Sequence, residues 1–303
     1  MPDQTLLLFD VGGTDVKAAV SINGELTRIT RRPVRAVTGD QAGRALVDQL
    51  SDLAADLLPS ETPAAVGLLS PGVVDVSSRR TVFAANLGLR NAALPDLLQE
   101  RLGAPVGFGH DVALAAQAEY SEGVGAGGAD SVLAVVIGTG IAATSFVNGT
   151  RLEVPGAGEL GHVPVPGGGT CACGATGCLE TVASAAAIAR AYEEATGRRV
   201  NGAAGVLEAL RRGDPDARAA WQAAVDALAF ALHWSVGLLG VSRVIVGGGL
   251  SGAGDDLLNP LRAALERRLS FMPVPELVLA RLGGDAGLRG ARIVALQELE
   301  AQK

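Results

Sequence analysis

Residues 7–24 read LLFDVGGTDVKAAVSING, and residues 132–149 read VLAVVIGTGIAATSFVNG. Each stretch has an apolar run, a Gly-Thr pair (Gly13-Thr14, Gly138-Thr139), a second apolar run, and Asn-Gly (Asn23-Gly24, Asn148-Gly149). Asn-Gly between β-rich runs is a strong hairpin signal, because both positions of a type I′ turn need φ > 0. The repeat predicts two related sheets, each opening with strand, glycine turn and strand.

Helical patterns follow in each half. Between Asp40 and Leu58, Ala45, Leu46, Leu50, Leu53, Ala54 and Leu57 recur at the 3.6-residue spacing of one buried face. Asp214-Pro215 predicts the start of a long Ala-rich helix running to about Leu239, Val244–Val246 a strand ending in three glycines, and Asn259-Pro260 the start of another helix. Alternating strands and helices imply an α/β protein of two lobes. The boundary is expected near Gly123–Asp130 (GVGAGGAD). That gives a first lobe over 1–122, joined by a C-terminal helix over about 287–303, and a second lobe over 123–286. A hinge between lobes is a natural place for a ligand cleft.

The 303 residues are 48% hydrophobic and 19% charged, enough for a large core. A net charge of -7, with lysine only at Lys17 and Lys303 and no basic block, argues against nucleic acid or a membrane surface as partner. MPDQTLLLFD reads as a short core strand rather than a signal peptide. The greasiest segment, Ala227 to Ser242, is broken by His233 and falls short of the roughly 20 residues that span a bilayer, so a core helix is expected. The expected compartment is the reducing cytoplasm.

All three cysteines and one of the three histidines fall in HVPVPGGGTCACGATGCLE, residues 162–180. In a reducing compartment such a cluster is more often a metal or redox site than a disulfide framework. His162, Cys171, Cys173 and Cys178 suffice for a tetrahedral Cys₃His zinc site. Cys171 and Cys173 are too close for easy disulfide geometry, and three is an odd number. A catalytic thiol is the other reading, with no histidine placed to single out a nucleophile.

DVGGT at 10–14 sets an acid at a strand end, then a turn whose backbone N–H groups can approach an anion closely. Asp10 could hold a hydrated Mg²⁺, and Lys17 could face phosphate oxygens. Taken alone the turn reads as an ordinary hairpin. Together, Gly12, Gly13 and Thr14, Gly138, Thr139 and Gly140, and Gly247, Gly248 and Gly249 make three backbone-exposing turns that could surround one nucleotide. None is a Walker A loop.

DVGGTDVK, SPGVVD (70–75), IGTG (137–140), GAGELGH (156–162), CACGATGCLE (171–180), VGGGL (246–250) and DAGLRGA (285–291) stand in the order seen in the ROK family. The resemblance covers essentially the whole chain, is closest to the glucokinase-type sugar kinases, and implies the two-lobed actin-like, hexokinase-type ATPase fold. It implies an ATP- and Mg²⁺-dependent hexose kinase in which Asp111 takes the proton of the sugar's 6-hydroxyl. It also implies sugar contacts at Gly72, Asn86, His110, Asp111, Glu159, His162 and Glu180, zinc on His162 and the three cysteines, and a homodimer or homotetramer. Nothing local assigns Asp111 that role over an N-cap of the helix it precedes. The expected Asn before Asp111 is His110, Ala113 replaces a usual Asn, Ala142 and Ala143 replace common glycines, and Leu89 replaces a common Trp. A sugar-binding sensor without catalysis is therefore the alternative. So are kinases for N-acetylmannosamine, N-acetylglucosamine, fructose or an amino sugar. The family's repressors carry a DNA-binding domain ahead of this motif; nine residues precede Asp10, and direct DNA binding is not expected.

Overall fold

A computed structural model describes residues 5–35, 39, 41–125, 131–154 and 156–303. Asp40 and most of the 123–130 loop fall outside them. In chain order the elements begin with β1 (Thr5–Val11), β2 (Asp15–Ile22), β3 (Glu25–Pro33), α1 (Ala42–Leu57) and β4 (Ala65–Ser70). A small meander of β5 (Val73–Asp75), β6 (Arg80–Ala84) and β7 (Leu89–Ala92) follows, then α2 (Leu94–Leu102), β8 (Val106–His110) and α3 (Asp111–Ser121). Next come β9 (Ser131–Ile137), β10 (Ile141–Val147), β11 (Thr150–Arg151), α4 (Glu180–Ala183), α5 (Ala185–Thr196), α6 (Gly202–Arg211) and α7 (Pro215–Leu239). β12 (Arg243–Gly247), α8 (Asp255–Arg268), β13 (Glu276–Leu279) and α9 (Ala286–Ala301) complete the chain. It divides into two compact units, residues 1–118 with 284–303 and residues 119–283.

The duplicated motif folds the same way twice. β1 pairs antiparallel with β2 and parallel with β4, in the order β3-β2-β1-β4-β8. β9 pairs antiparallel with β10 and parallel with β12, in the order β11-β10-β9-β12-β13. Both Asn-Gly turns adopt left-handed backbone at each central residue, with φ of 53° and 90° at Asn23-Gly24 and 49° and 78° at Asn148-Gly149.

In the first unit, strand alternation separates two cores. Leu7 and Phe9 join Val66, Leu68, Val106 and Phe108 under α1 and α2. Leu6 and Leu8 face the other way, onto Leu288, Ala291, Val294 and Ala295 of α9. α9 lies very close to this sheet: a Cβ at Gly67 would stand 1.9 Å from the Ala291 carbonyl oxygen, and one at Gly107 2.0 Å from that of Val294. Only glycine fits beneath the helix at these two positions.

In the second unit α7 is long and apolar enough to cross a bilayer by length and composition alone. Here it is a core helix, with Trp221, Val225, Leu228 and Leu232 buried in one cluster with α5, α6 and α8. Asp214 caps it, its carboxylate accepting the N–H groups of Asp216 at 2.9 Å and Ala217 at 3.2 Å. The helix expected to start at Asn259-Pro260 starts instead at Asp255, with Pro260 inside it. Proline lacks the N–H that would bond the carbonyl four residues back, at Asp256. That carbonyl accepts the indole N–H of Trp221 at 2.9 Å, which makes the interior proline tolerable.

Candidate active site and metal centre

In the first unit the parallel strands β1, β4 and β8 end side by side, with Asp10 opposite Leu69 and Ser70 opposite His110. The carboxyl ends of parallel strands are where α/β sheets place ligands. Asp10 lies against the start of α9, and opposite it in the β1–β2 register stands Lys17. The Lys17 ammonium is 3.7 Å from Asp10 Oδ2 and donates to the Gly284 carbonyl at 3.0 Å. Burial pushes the Asp10 carboxyl above its usual range; Lys17 opposes this and the nearby Asp111 charge adds to it.

Asp111 opens α3. Its Oδ1 accepts the Val112 N–H at 2.7 Å and lies 3.5 Å from His110 Nε2. Burial raises its pKa, against the influence of His110 and the Val112 N–H. The local alternative for Asp111, an N-cap, goes to its neighbour: the Ala113 N–H donates to His110 Nδ1 at 3.3 Å. Asn86, on the turn Ala85–Leu87, holds its amide over the DVGGT turn, 3.1 Å from where a Cβ on Gly13 would be. Gly72 takes φ of 86° beneath Phe83 and Ala84, beside that same turn. Thr14, expected to face an anion, donates its hydroxyl to Asp15 at 3.1 Å.

In the second unit the IGTG and GGG turns abut, since a Cβ on Gly248 would stand 2.5 Å from the Ile137 carbonyl oxygen. The Gly138 N–H closes the first turn onto the Gly140 carbonyl at 2.9 Å. Two miniature ladders fold the cysteine loop back on itself. Val165 and Leu179 donate N–H groups to Gly177 and Val163, and Cys171 and Gly177 donate to Ala175 and Gly169.

The four donor atoms of His162, Cys171, Cys173 and Cys178 consequently lie within 4.8 Å of one another. Cys173 and Cys178 sulfurs are 3.7 Å apart, and Cys171 Sγ is 3.7 Å from His162 Nδ1. Zinc–sulfur bonds of about 2.3 Å at tetrahedral angles give sulfur–sulfur edges of about 3.8 Å, so the donor set fits zinc. Nδ1 is the ring nitrogen turned toward the donors, and Nε2 faces Glu159 at 3.8 Å. Glu180, beyond what its spacing suggested, touches both features: Oε1 is 3.3 Å from Cys171 Sγ, and Oε2 is 3.0 Å from where a Gly140 Cβ would be.

The structure thus groups Asp10, Lys17, His110 and Asp111 in one unit, with Asn86 over the glycine turn. It groups the cysteine cluster, Glu159, Glu180 and the IGTG turn in the other. Sequence reasoning missed Gly287 and the Gly284 carbonyl. Gly287 lies in the motif DAGLRGA (285–291), which was quoted without a role for it, and Gly284 stands just before that motif.

A family model described as ROK family matches residues 7–298. The chain belongs to the ROK family. A glucokinase of Halalkalibacterium halodurans is 34% identical to it, over 100% of this chain and 98% of that protein. A glucokinase of Streptomyces coelicolor is 32% identical over 94% of this chain and 96% of its own length. Among solved structures, a ROK glucokinase from Streptomyces griseus, in complex with glucose and AMPPNP, superposes with a TM-score of 0.80 at 29% identity. It covers 97% of this chain and 99% of the other. The duplicated α/β units of this ROK protein are those of the two-lobed actin-like ATPase fold.

Proposed function

We propose that this ROK protein is an ATP-dependent hexose kinase that transfers the γ-phosphoryl group to the 6-hydroxyl of glucose or a close relative. The observation that carries the reading is Asp111, a carboxylate at a parallel strand's end whose burial raises its pKa. A raised pKa makes it a better proton acceptor. As the sugar oxygen bonds to the γ-phosphorus and the bond to the leaving oxygen of ADP breaks, Asp111 takes the hydroxyl proton. Phosphoryl transfer asks for little more than this, positioning and charge stabilisation.

Asp10 would hold a hydrated Mg²⁺. Its carboxylate is buried, and the Lys17 ammonium stays 3.7 Å away. The ion would neutralise phosphate charge. Lys17 and the turns at Gly12-Gly13-Thr14, Gly138-Thr139-Gly140 and Gly247-Gly248-Gly249 serve the nucleotide. Glu159, Glu180, Asn86 and Gly72 serve the sugar, as does the Nε2 of His162 once zinc occupies Nδ1. The protein works in the cytoplasm as a homodimer or homotetramer; Trp234 and Leu238 on α7, with Phe271, are exposed apolar side chains that suit an interface.

A coupled ADP-release assay over glucose, N-acetylmannosamine, N-acetylglucosamine, fructose and an amino sugar tests the reading, with Asp111→Asn as control. Turnover on a hexose, lost in the control, is expected. Sugar binding with no turnover on any of them would make the protein a sensor instead.

A further inference from the structure

His110 carries two contacts that no other side chain could supply together. Its Nδ1 accepts the Ala113 N–H at 3.3 Å, so Nδ1 has a free lone pair and carries no proton. The proton of the neutral ring then sits on Nε2, 3.5 Å from Asp111 Oδ1. That same oxygen already accepts the Val112 N–H at 2.7 Å. In ligand-free enzymes such catalytic contacts are commonly long and tighten on binding. With Nδ1 capping Ala113 and the Nε2–H drawn onto Asp111, the neutral ring would have neither donor nor acceptor left for a sugar hydroxyl.

We infer that His110 is a positioning residue rather than a sugar contact: its Nε2–H, with the Val112 N–H, holds Asp111 Oδ1, leaving Oδ2 to receive the sugar's proton. The inference rests on the kinase reading above. It separates two functions of one ring, a helix cap through Nδ1 and a hold on the base through Nε2. Asparagine can place an acceptor near Nδ1 but has no atom at Nε2. Glutamine can place an N–H near Nε2 but leaves the Ala113 amide without its cap.

The test is His110→Asn, His110→Gln and His110→Ala, read by kcat, sugar KM and Tm. His110→Ala lowers kcat about tenfold or more with sugar KM little changed, the pattern of a group acting on the chemical step. His110→Asn keeps the parent Tm but not the parent kcat, and His110→Gln recovers kcat over the alanine variant while its Tm stays low. Parent kcat in His110→Asn, or a raised KM with unchanged kcat in His110→Ala, would overturn the inference. A second readout needs no turnover: ¹⁵N correlation spectra, simple in a chain with three histidines, report the proton on Nε2. A proton on Nδ1 overturns it. Should the parent phosphorylate no sugar, the kinase reading fails, while the spectra still decide what His110 holds.

Discussion

Asp10 and Gly287 stand so close that a methyl on Gly287 would lie 2.1 Å from Asp10 Oδ2. Gly287 is the second residue of α9, whose N-terminus has no side-chain cap, so the carboxylate is the anion at the positive end of that helix. Helix propensity alone predicts that Gly287→Ala stabilises by about 1 kcal/mol. The contact predicts the opposite sign. A lower Tm is expected, with kcat reduced about tenfold or more if Asp10 holds the proposed Mg²⁺, because a displaced carboxylate would misplace the ion. Thermal unfolding and the ADP-release assay read both.

Asp111→Asn should gain stability while losing activity. Burial sets the folded pKa of Asp111 above its ordinary value. A carboxyl raised in this way costs no stability below the ordinary value. The cost grows as pH climbs from there and is complete once pH has passed the folded pKa. The variant should therefore have the higher Tm at pH 7 to 8, and the difference should vanish below about pH 4. Turnover should fall by about 10²-fold or more. Tm measured across pH on both proteins checks the sign.

Cys178 is fully buried, and Cys173 lies at the exposed rim of the donor set. Protein purified without chelator should carry one zinc per chain by elemental analysis. Cys178→Ser should lose the metal and lower Tm, since metal binding to a folded site is itself folding free energy. Sugar KM should rise with it, because Glu180 and His162 lean on the same loop. Zinc-free parent protein at full stability would end the metal reading.

Trp221→Phe removes the donor that satisfies the Asp256 carbonyl and should cost about 1–3 kcal/mol. Pro260→Ala restores an N–H in reach of that carbonyl, so the double variant should recover part of the loss. A double-mutant cycle by thermal or urea unfolding measures the coupling, and strict additivity would refute the pairing.

The repeat was legible because its two Asn-Gly turns are local requirements of backbone conformation. The four residues that could hold a metal, His162, Cys171, Cys173 and Cys178, were legible as a group for the same kind of reason, since they lie within one short loop. The start of α8 was not legible. Asn259-Pro260 looks like a helix beginning, and only Trp221, far away in sequence, makes Pro260 an interior residue. Nor was the division of labour between His110 and Asp111. Adjacent residues at a helix start compete for the same amides, and the winner depends on side-chain direction. The closeness of Gly287 to Asp10 joins opposite ends of the chain, and no local pattern announces it.

α9 covers Leu6, Leu8, Ala65 and Leu69, residues made long before it. During synthesis the whole of the second unit emerges between the sheet and the helix that seals it. At about 5–20 residues per second, the nascent first unit keeps that apolar face bare for several seconds or longer. The second unit has a contiguous sequence and can close first. The interval favours capture by chaperones, and a premature stop before Ala286 would release a chain whose sheet never receives its cover.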